Sequence, residues 1–225
     1  GVEIPIVQAP MGWIARAQLA SAVSRAGALG IIETSSGELD AIRGEIRRMR
    51  ELTDKPFGVN IAQAFVRDPG IVDFVIEQGV RFVTTSAGDP TKFTKQLKAA
   101  GLTVFHVVPT LRAALKAVDA GVDGLVVEGG EGGGFKNPNP VSTMVLLPLV
   151  RSKVDVPIVA AGGICDGVSM AAAFALTSRY LQHSIDEGES VWIAQREGRA
   201  KDGIDRTEPA IIKMFHMSQR KGGRS

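Results

Sequence analysis

The chain has a single cysteine, Cys165, so no intrachain disulfide is open to it, and a reducing compartment is the expectation. Histidine is scarce, with only His106, His183 and His216. There is no HxH, no HExxH and no Cys/His cluster, so no metal site is expected, and the GxSxG elbow of serine hydrolases is also missing. No apolar run approaches the roughly 18 residues that span a bilayer. The start, GVEIPIVQAP, lacks the basic residues of a signal peptide, and a soluble cytoplasmic protein is expected. Neither sign of charge dominates: 26 Lys and Arg face 24 Asp and Glu, for a net charge of +2. The dense basic runs are RGEIRRMR at 43–50 and RKGGRS at 220–225, too little for a nucleic-acid surface. The expected partner is a small-molecule substrate, with a homodimer left open and no role for nucleic acid or membrane.

What the chain does have is repetition. A short β-branched run, a turn and a helical pattern recur, with candidate strands at Ile4–Pro10, Leu29–Glu33, Phe57–Ile61, Arg81–Thr85, Thr103–Val108, Gly124–Glu128 and Pro157–Ala161. Their starts lie roughly 20 to 33 residues apart, the size of one βα unit. Helical stretches such as AQLASAVSRAG and TLRAALKAVDAG fill the gaps, and Gly27, Gly79, Gly101 and Gly121 stand where helices end. Strands that are apolar on both faces and alternate with helices mean a parallel sheet under a helical layer. The first turn, APMGWIARA, lacks the GxGxxG of a dinucleotide-binding fold, so an α/β TIM (β/α)8 barrel is expected. The eighth unit is the difficulty. After GVSMAAAFAL the chain turns polar, and VWIA is its one weak strand signal. Either the barrel is truncated or an internal segment is missing near Leu176 and Thr177; the second reading is preferred, because an unclosed barrel leaves open edges. Residues 1–176 then form the barrel and 177–225 a C-terminal segment.

Two glycine-rich turns, EGGEGGGF at 128–135 and AAGGICDG at 160–167, follow late strands. In a barrel they lie at the C-terminal face, where backbone N–H groups and a helix N-terminus can receive a phosphate. Ordinary tight turns are the competing reading. Strand ends add Gln8, Met11, Asn60, Gln63, Thr85 and Ser86 as polar or soft groups able to reach a ligand. His106 could point into the mouth as an acid or base; a structural histidine is the more common alternative. Cys165 reads better as a small loop thiol than as a nucleophile.

These motifs resemble the nitronate monooxygenases, formerly called 2-nitropropane dioxygenases, which are related to flavin-dependent enoyl-acyl-carrier-protein reductases. The resemblance runs from IPIVQAPMGWIARAQLASAVSRAGALG through KPFGVNIAQ, VTTSAGDP and TVFHVVPTLRAALKAVDAGVDGLVVEGGEGGG to VPIVAAGGICDGVSMAAAFAL, and GESVWIAQREGRAKDGIDRTEPAIIKMF is similar to the family's closing segment. Between these blocks, family members carry an eighth strand with a phosphate turn that has no counterpart here. The resemblance implies an FMN-binding barrel. Pro10, Met11 and Gly12 would lie under the flavin ring, Asn60 against the ring or ribityl chain, and Glu128 on the ribityl hydroxyls. Gly133 and Gly134 would line the site, and Gly162 and Gly163 would donate to the phosphate. Phe135 stands where well-known members carry a catalytic histidine, which makes the pocket more apolar, and His106 is the substitute proton donor.

Three functions follow from the resemblance. The first is FMN-dependent oxidation of nitronates by oxygen, whose anionic substrate needs no base. The second is an NAD(P)H-dependent flavin reductase of an unsaturated or cyclic acyl thioester. The third is a catalytically inactive flavin-binding protein.

Overall fold

The computed structural model describes residues 1–35, 38–134 and 137–173, together with the backbone of 192–193. Strands and helices alternate: α1 (Ala17–Arg25), β1 (Gly30–Glu33), α2 (Leu39–Leu52), β2 (Phe57–Ala62), α3 (Ile71–Glu77), β3 (Phe82–Ser86), α4 (Thr94–Ala99), β4 (Thr103–Val108), α5 (Leu111–Asp119), β5 (Gly124–Glu128), α6 (Thr143–Arg151), β6 (Ile158–Ala161) and β7 (Trp192–Ile193). The seven strands pair in sequence order, every pair parallel. Gly27, Gly79, Gly101 and Gly121 take φ of +91°, +65°, +81° and +85°, the left-handed turn that ends a helix without Cβ strain. Among the described residues, no helix is long and apolar enough to cross a membrane.

Two apolar layers show how the sheet is curved. The larger packs Val59, Ile61, Val83, Val104, Val108, Leu125 and Val127 against helix residues such as Ile46, Met49, Leu97, Ala117 and Leu147. The smaller joins Val7, Leu29, Ile31, Phe105 and Val159, with Phe82 and Val126 against them. In a flat sheet, β1 and β6 would stand about 24 Å apart, five spacings of about 4.8 Å. Ile31 of β1 and Val159 of β6 share one cluster, so the sheet is rolled and the smaller cluster is its interior. Phe82 and Phe105 fill it with ring centroids 5.2 Å apart. Gly124 makes room: a Cβ there would lie 2.3 Å from the Phe105 ring.

One expectation needs correction at the N-terminal end of the sheet. The Ile4–Pro10 run is not a full strand; among the described residues it makes one parallel bridge, Val7 to Leu29. Proline is the reason. Pro10 has no N–H to continue the ladder, and the Gln8 side chain continues it instead, Nε2 donating to the Ile31 carbonyl (3.1 Å) and Oε1 accepting from the Ile31 N–H (3.3 Å). At the other end, the place beside β6 is taken by β7, with Val159 opposite Trp192 and Ala160 opposite Ile193. The VWIA run thus forms the strand that its weak signal suggested, two residues long beside β6. The remaining residues of 174–225 lie outside the described residues.

Candidate functional site

Side-chain alternation sorts each strand into an inner and an outer set. Counting from Ile31, Phe82, Phe105, Val126 and Val159 inside, the inner set continues at the C-terminal ends with Glu33, Asn60, Thr84, Ser86, Glu128 and Ala161. The interior is therefore apolar below and polar at the mouth, the arrangement of a barrel that binds ligands on its C-terminal face.

Asn60 is 3% exposed, and its Nδ2 donates to Thr84 Oγ1 (3.0 Å), the Thr84 carbonyl (3.2 Å) and Ser86 Oγ (3.3 Å). Its amide is held by β3 at the mouth. Glu128 is also inward and sits under the first glycine turn: a Cβ on Gly132 would be 2.2 Å from Glu128 Oε1. The two glycine turns pack on each other. At Gly162 (φ +96°) a Cβ would lie 2.9 Å from both the Gly132 nitrogen and Thr143 Oγ1, and at Gly163 (φ +71°) 3.2 Å from Glu131 Cβ. Gly133 and Gly134, by contrast, have no heavy atom of the described residues within 4 Å of a Cβ, so among the described residues the apex of the first turn is open.

The two helices that begin beside these turns are already capped. Glu131 Oε2 accepts from the Thr143 N–H (2.8 Å) and hydroxyl (2.9 Å) at the start of α6. Asp166 Oδ1 accepts from the Ser169 N–H (2.7 Å) while Ser169 Oγ accepts from the Asp166 N–H (3.1 Å), a reciprocal capping box for the helix at 167–173. These bonds from Ser169 hold the Asp166 carboxyl below its usual pKa. Any phosphate would therefore rely on glycine N–H groups, and among the described residues nothing accepts from those of Gly162 and Gly163. Free donors, an open apex and inward Asn60 and Glu128 fit a phosphate-bearing ligand at this mouth. Cys165 is exposed in the capped turn, its N–H donating to Ser169 Oγ at 3.0 Å.

His106 does not reach the mouth. It lies on the parity of Val104 and Val108, facing the helices, so the expectation of an acid or base inside the barrel is corrected. Its Nδ1 is 2.7 Å from Thr85 Oγ1, which also faces outward, and it hydrogen-bonds to the Gly88 backbone. Burial at 3% exposure pushes its pKa down from 6.5 to about 4, against the opposing effect of that Gly88 bond and the Asp89 carboxylate. The turn it anchors is strained, with Ala87 at φ +51°. Gln63 packs on the same turn at Gly88; among the described residues neither its Nε2 nor its Oε1 has a partner, a place suited to an ordered water.

Pro10, Met11 and Gly12 form the loop beside β1, where a Cβ on Gly12 would be 3.5 Å from Ser35 Oγ and Met11 is 40% exposed. Phe135 lies outside the described residues. Sequence reasoning missed Glu33, 3% exposed at the end of β1, whose Oε1 lies 3.3 Å from Arg16 Nε and accepts from the Trp13 N–H (3.2 Å). The signal was present: a carboxylate closing the apolar run LGIIE. Among the described residues no cluster of His, Cys, Asp and Glu could hold a metal ion.

Comparison with known proteins finds relatives over most of the chain. The family model described as nitronate monooxygenase matches residues 1–69 and 62–182. A (3aS,4S,5R,7aS)-5-hydroxy-7a-methyl-1-oxo-octahydro-1H-indene-4-carboxyl-CoA dehydrogenase of Rhodococcus jostii is 39% identical over 175 residues, 78% of this chain and 49% of that protein. The nitronate monooxygenase of Paraburkholderia phytofirmans is 30% identical over 244 residues, covering 84% of this chain and 67% of that protein. Among solved structures, FabK from Thermotoga maritima superposes with a TM-score of 0.74 at 40% identity, over 86% of this chain and 58% of that one. The chain thus spans about half the length of the dehydrogenase. On the family match, the rolled parallel sheet and the paired glycine turns, this chain belongs to the nitronate monooxygenase family of flavin oxidoreductases.

Proposed function

We propose that this chain is the flavin-binding part of an oxidoreductase acting on a cyclic or unsaturated acyl thioester. The observation that carries the reading is the order of similarity: a carboxyl-CoA dehydrogenase at 39% identity stands ahead of a nitronate monooxygenase at 30%. Phe135, in place of the histidine that the family resemblance implies, agrees with a less polar substrate. So does a rim on which Met11, Ile14 and Phe65 are 40%, 52% and 49% exposed.

FMN would be held by Pro10, Met11, Gly12, Asn60, Glu128, Gly133, Gly134, Gly162 and Gly163. When bound it supplies two-electron hydride chemistry, with NAD(P)H as the candidate electron donor. The residues of this chain do the rest. Asn60, held by β3, presents a rigid edge at the mouth. Glycines 162 and 163 offer N–H donors without side chains in the way, and Phe82 and Phe105 lie among the apolar residues of the interior below. Nitronate oxidation is the second reading, favoured by the family model itself.

Anaerobic mixing of the FMN-reconstituted protein separates the two. Flavin colour should change on adding a cyclic carboxyl-CoA thioester, or return with an unsaturated thioester after NADH or NADPH has bleached it. Bleaching by propyl-2-nitronate, with no response to any thioester, would replace this reading with the second.

A further inference from the structure

Trp13 combines three features that each cost folding free energy. Its backbone is left-handed, φ +64°, a conformation bulky residues rarely adopt. The residue is 75% exposed, the fate an aromatic normally avoids. The group that holds it is a carboxylate in the interior: Glu33, with a side chain 1% exposed, accepts the Trp13 N–H at 3.2 Å and pairs with Arg16 at 3.3 Å. Arg16 in turn lies 5.5 Å from the Trp13 ring centroid, close enough for a cation–π contact. Glu45, whose Oε2 accepts from the Ala17 N–H at 2.8 Å, secures the next turn of the chain. Glu33 thus fixes the Trp13 backbone while Arg16 lies against its exposed ring.

Trp13 directly follows the Pro10–Gly12 loop, and its N–H bonds to Glu33, an inward residue at the mouth. The exposure of Trp13 is too high for the isoalloxazine, which an enzyme shields from water, but suits the far end of a long substrate. A guanidinium against an indole draws electron density from it and favours stacking with an electron-rich planar ring. We infer that Trp13 is a stacking platform for the adenine of the nucleotide that brings an acyl group or a hydride to this mouth. The inference rests on the thioester reading for its ligand class. Coenzyme A and the nicotinamide dinucleotides both carry adenine, so the shared chemistry is an adenine nucleotide.

The test uses intrinsic fluorescence. The chain has two tryptophans, so a Trp192→Phe variant leaves Trp13 as the reporter. In that background, free coenzyme A and ADP-ribose are titrated separately, with thermal melts and flavin content as controls for folding. Saturable quenching by coenzyme A assigns the platform to the thioester, and by ADP-ribose to the nicotinamide dinucleotide. Calorimetry on the otherwise native protein should find Trp13→Ala weakening the responding nucleotide about ten-fold or more, with Trp13→Phe recovering most of the loss. Absence of saturable quenching by either probe, or unchanged affinity in Trp13→Ala, overturns the inference. Trp13-dependent nucleotide binding in a protein whose flavin ignores every thioester would remove the proposed substrate and leave the platform standing.

Discussion

His106 illustrates how one residue's direction changes its chemistry. Facing the helix layer and bonded to Thr85, it is a neutral buried ring, and its folded pKa of about 4 lies below the usual 6.5. Between those values the unfolded chain binds the extra proton, so stability is full above pH 6.5 and declines as pH falls toward 4. The loss at pH 5 should be about 2 kcal/mol, read as a lower urea midpoint than at pH 7, and His106→Gln should abolish that difference. An unchanged pH dependence in the variant would show that the ring is not the titrating group. The glycines make a second residue-scale prediction. Gly162→Ala should lower the melting temperature with or without flavin, because its Cβ meets the Gly132 nitrogen at 2.9 Å. Gly133→Ala meets no atom of the described residues within 4 Å and should melt like the parent, yet bind FMN more weakly. Parent-like FMN affinity in that variant would remove the open apex from the flavin site.

At the scale of elements, small residues govern how helices lie on the sheet. Ala17, Ala20, Ser21 and Ser24 form the buried face of α1, and Gly30 lets that helix sit directly on β1, since a Cβ there would be 2.1 Å from the Ala20 carbonyl oxygen. Gly30→Ala therefore pushes backbone against backbone and should cost about 3 kcal/mol, at the upper end of overpacking penalties. Gly44, inside α2 with no atom within 4 Å of a Cβ, is the opposite case: Gly44→Ala should stabilise by about 0.5–1 kcal/mol. Denaturation midpoints of the two variants should move in opposite directions. The strand–helix alternation was legible because period-two and 3.6-residue patterns alternate with glycine at the helix ends. The N-terminal run departs from the expected strand because its ladder runs through the Gln8 side chain, which no hydropathy pattern records.

For the whole molecule, the interior cluster is what turns a parallel sheet into a barrel. Phe105 spans it, its ring tilted against that of Phe82 and covering Gly124, so Phe105→Ala should open a cavity costing about 3–5 kcal/mol. Because that cluster joins strands from β1 to β6, the loss should appear in one cooperative unfolding transition. Two separate transitions would mean that the two halves of the sheet fold independently.

By itself, the sequence determined the βα order, the parallel sheet, the left-handed glycines at helix ends and the two glycine turns at one face, since each is written in local periodicity and in residues with special backbone freedom. Tertiary structure decided which side of each strand is inside. These strands are apolar on both faces, so alternation tells which residues share a face but not which face is the interior. That sign placed Asn60 and Glu128 in the mouth and turned His106 and Thr85 away from it. Tertiary structure also brought Glu33 to Trp13 and Arg16 from 20 and 17 residues away, a contact that spacing does not record.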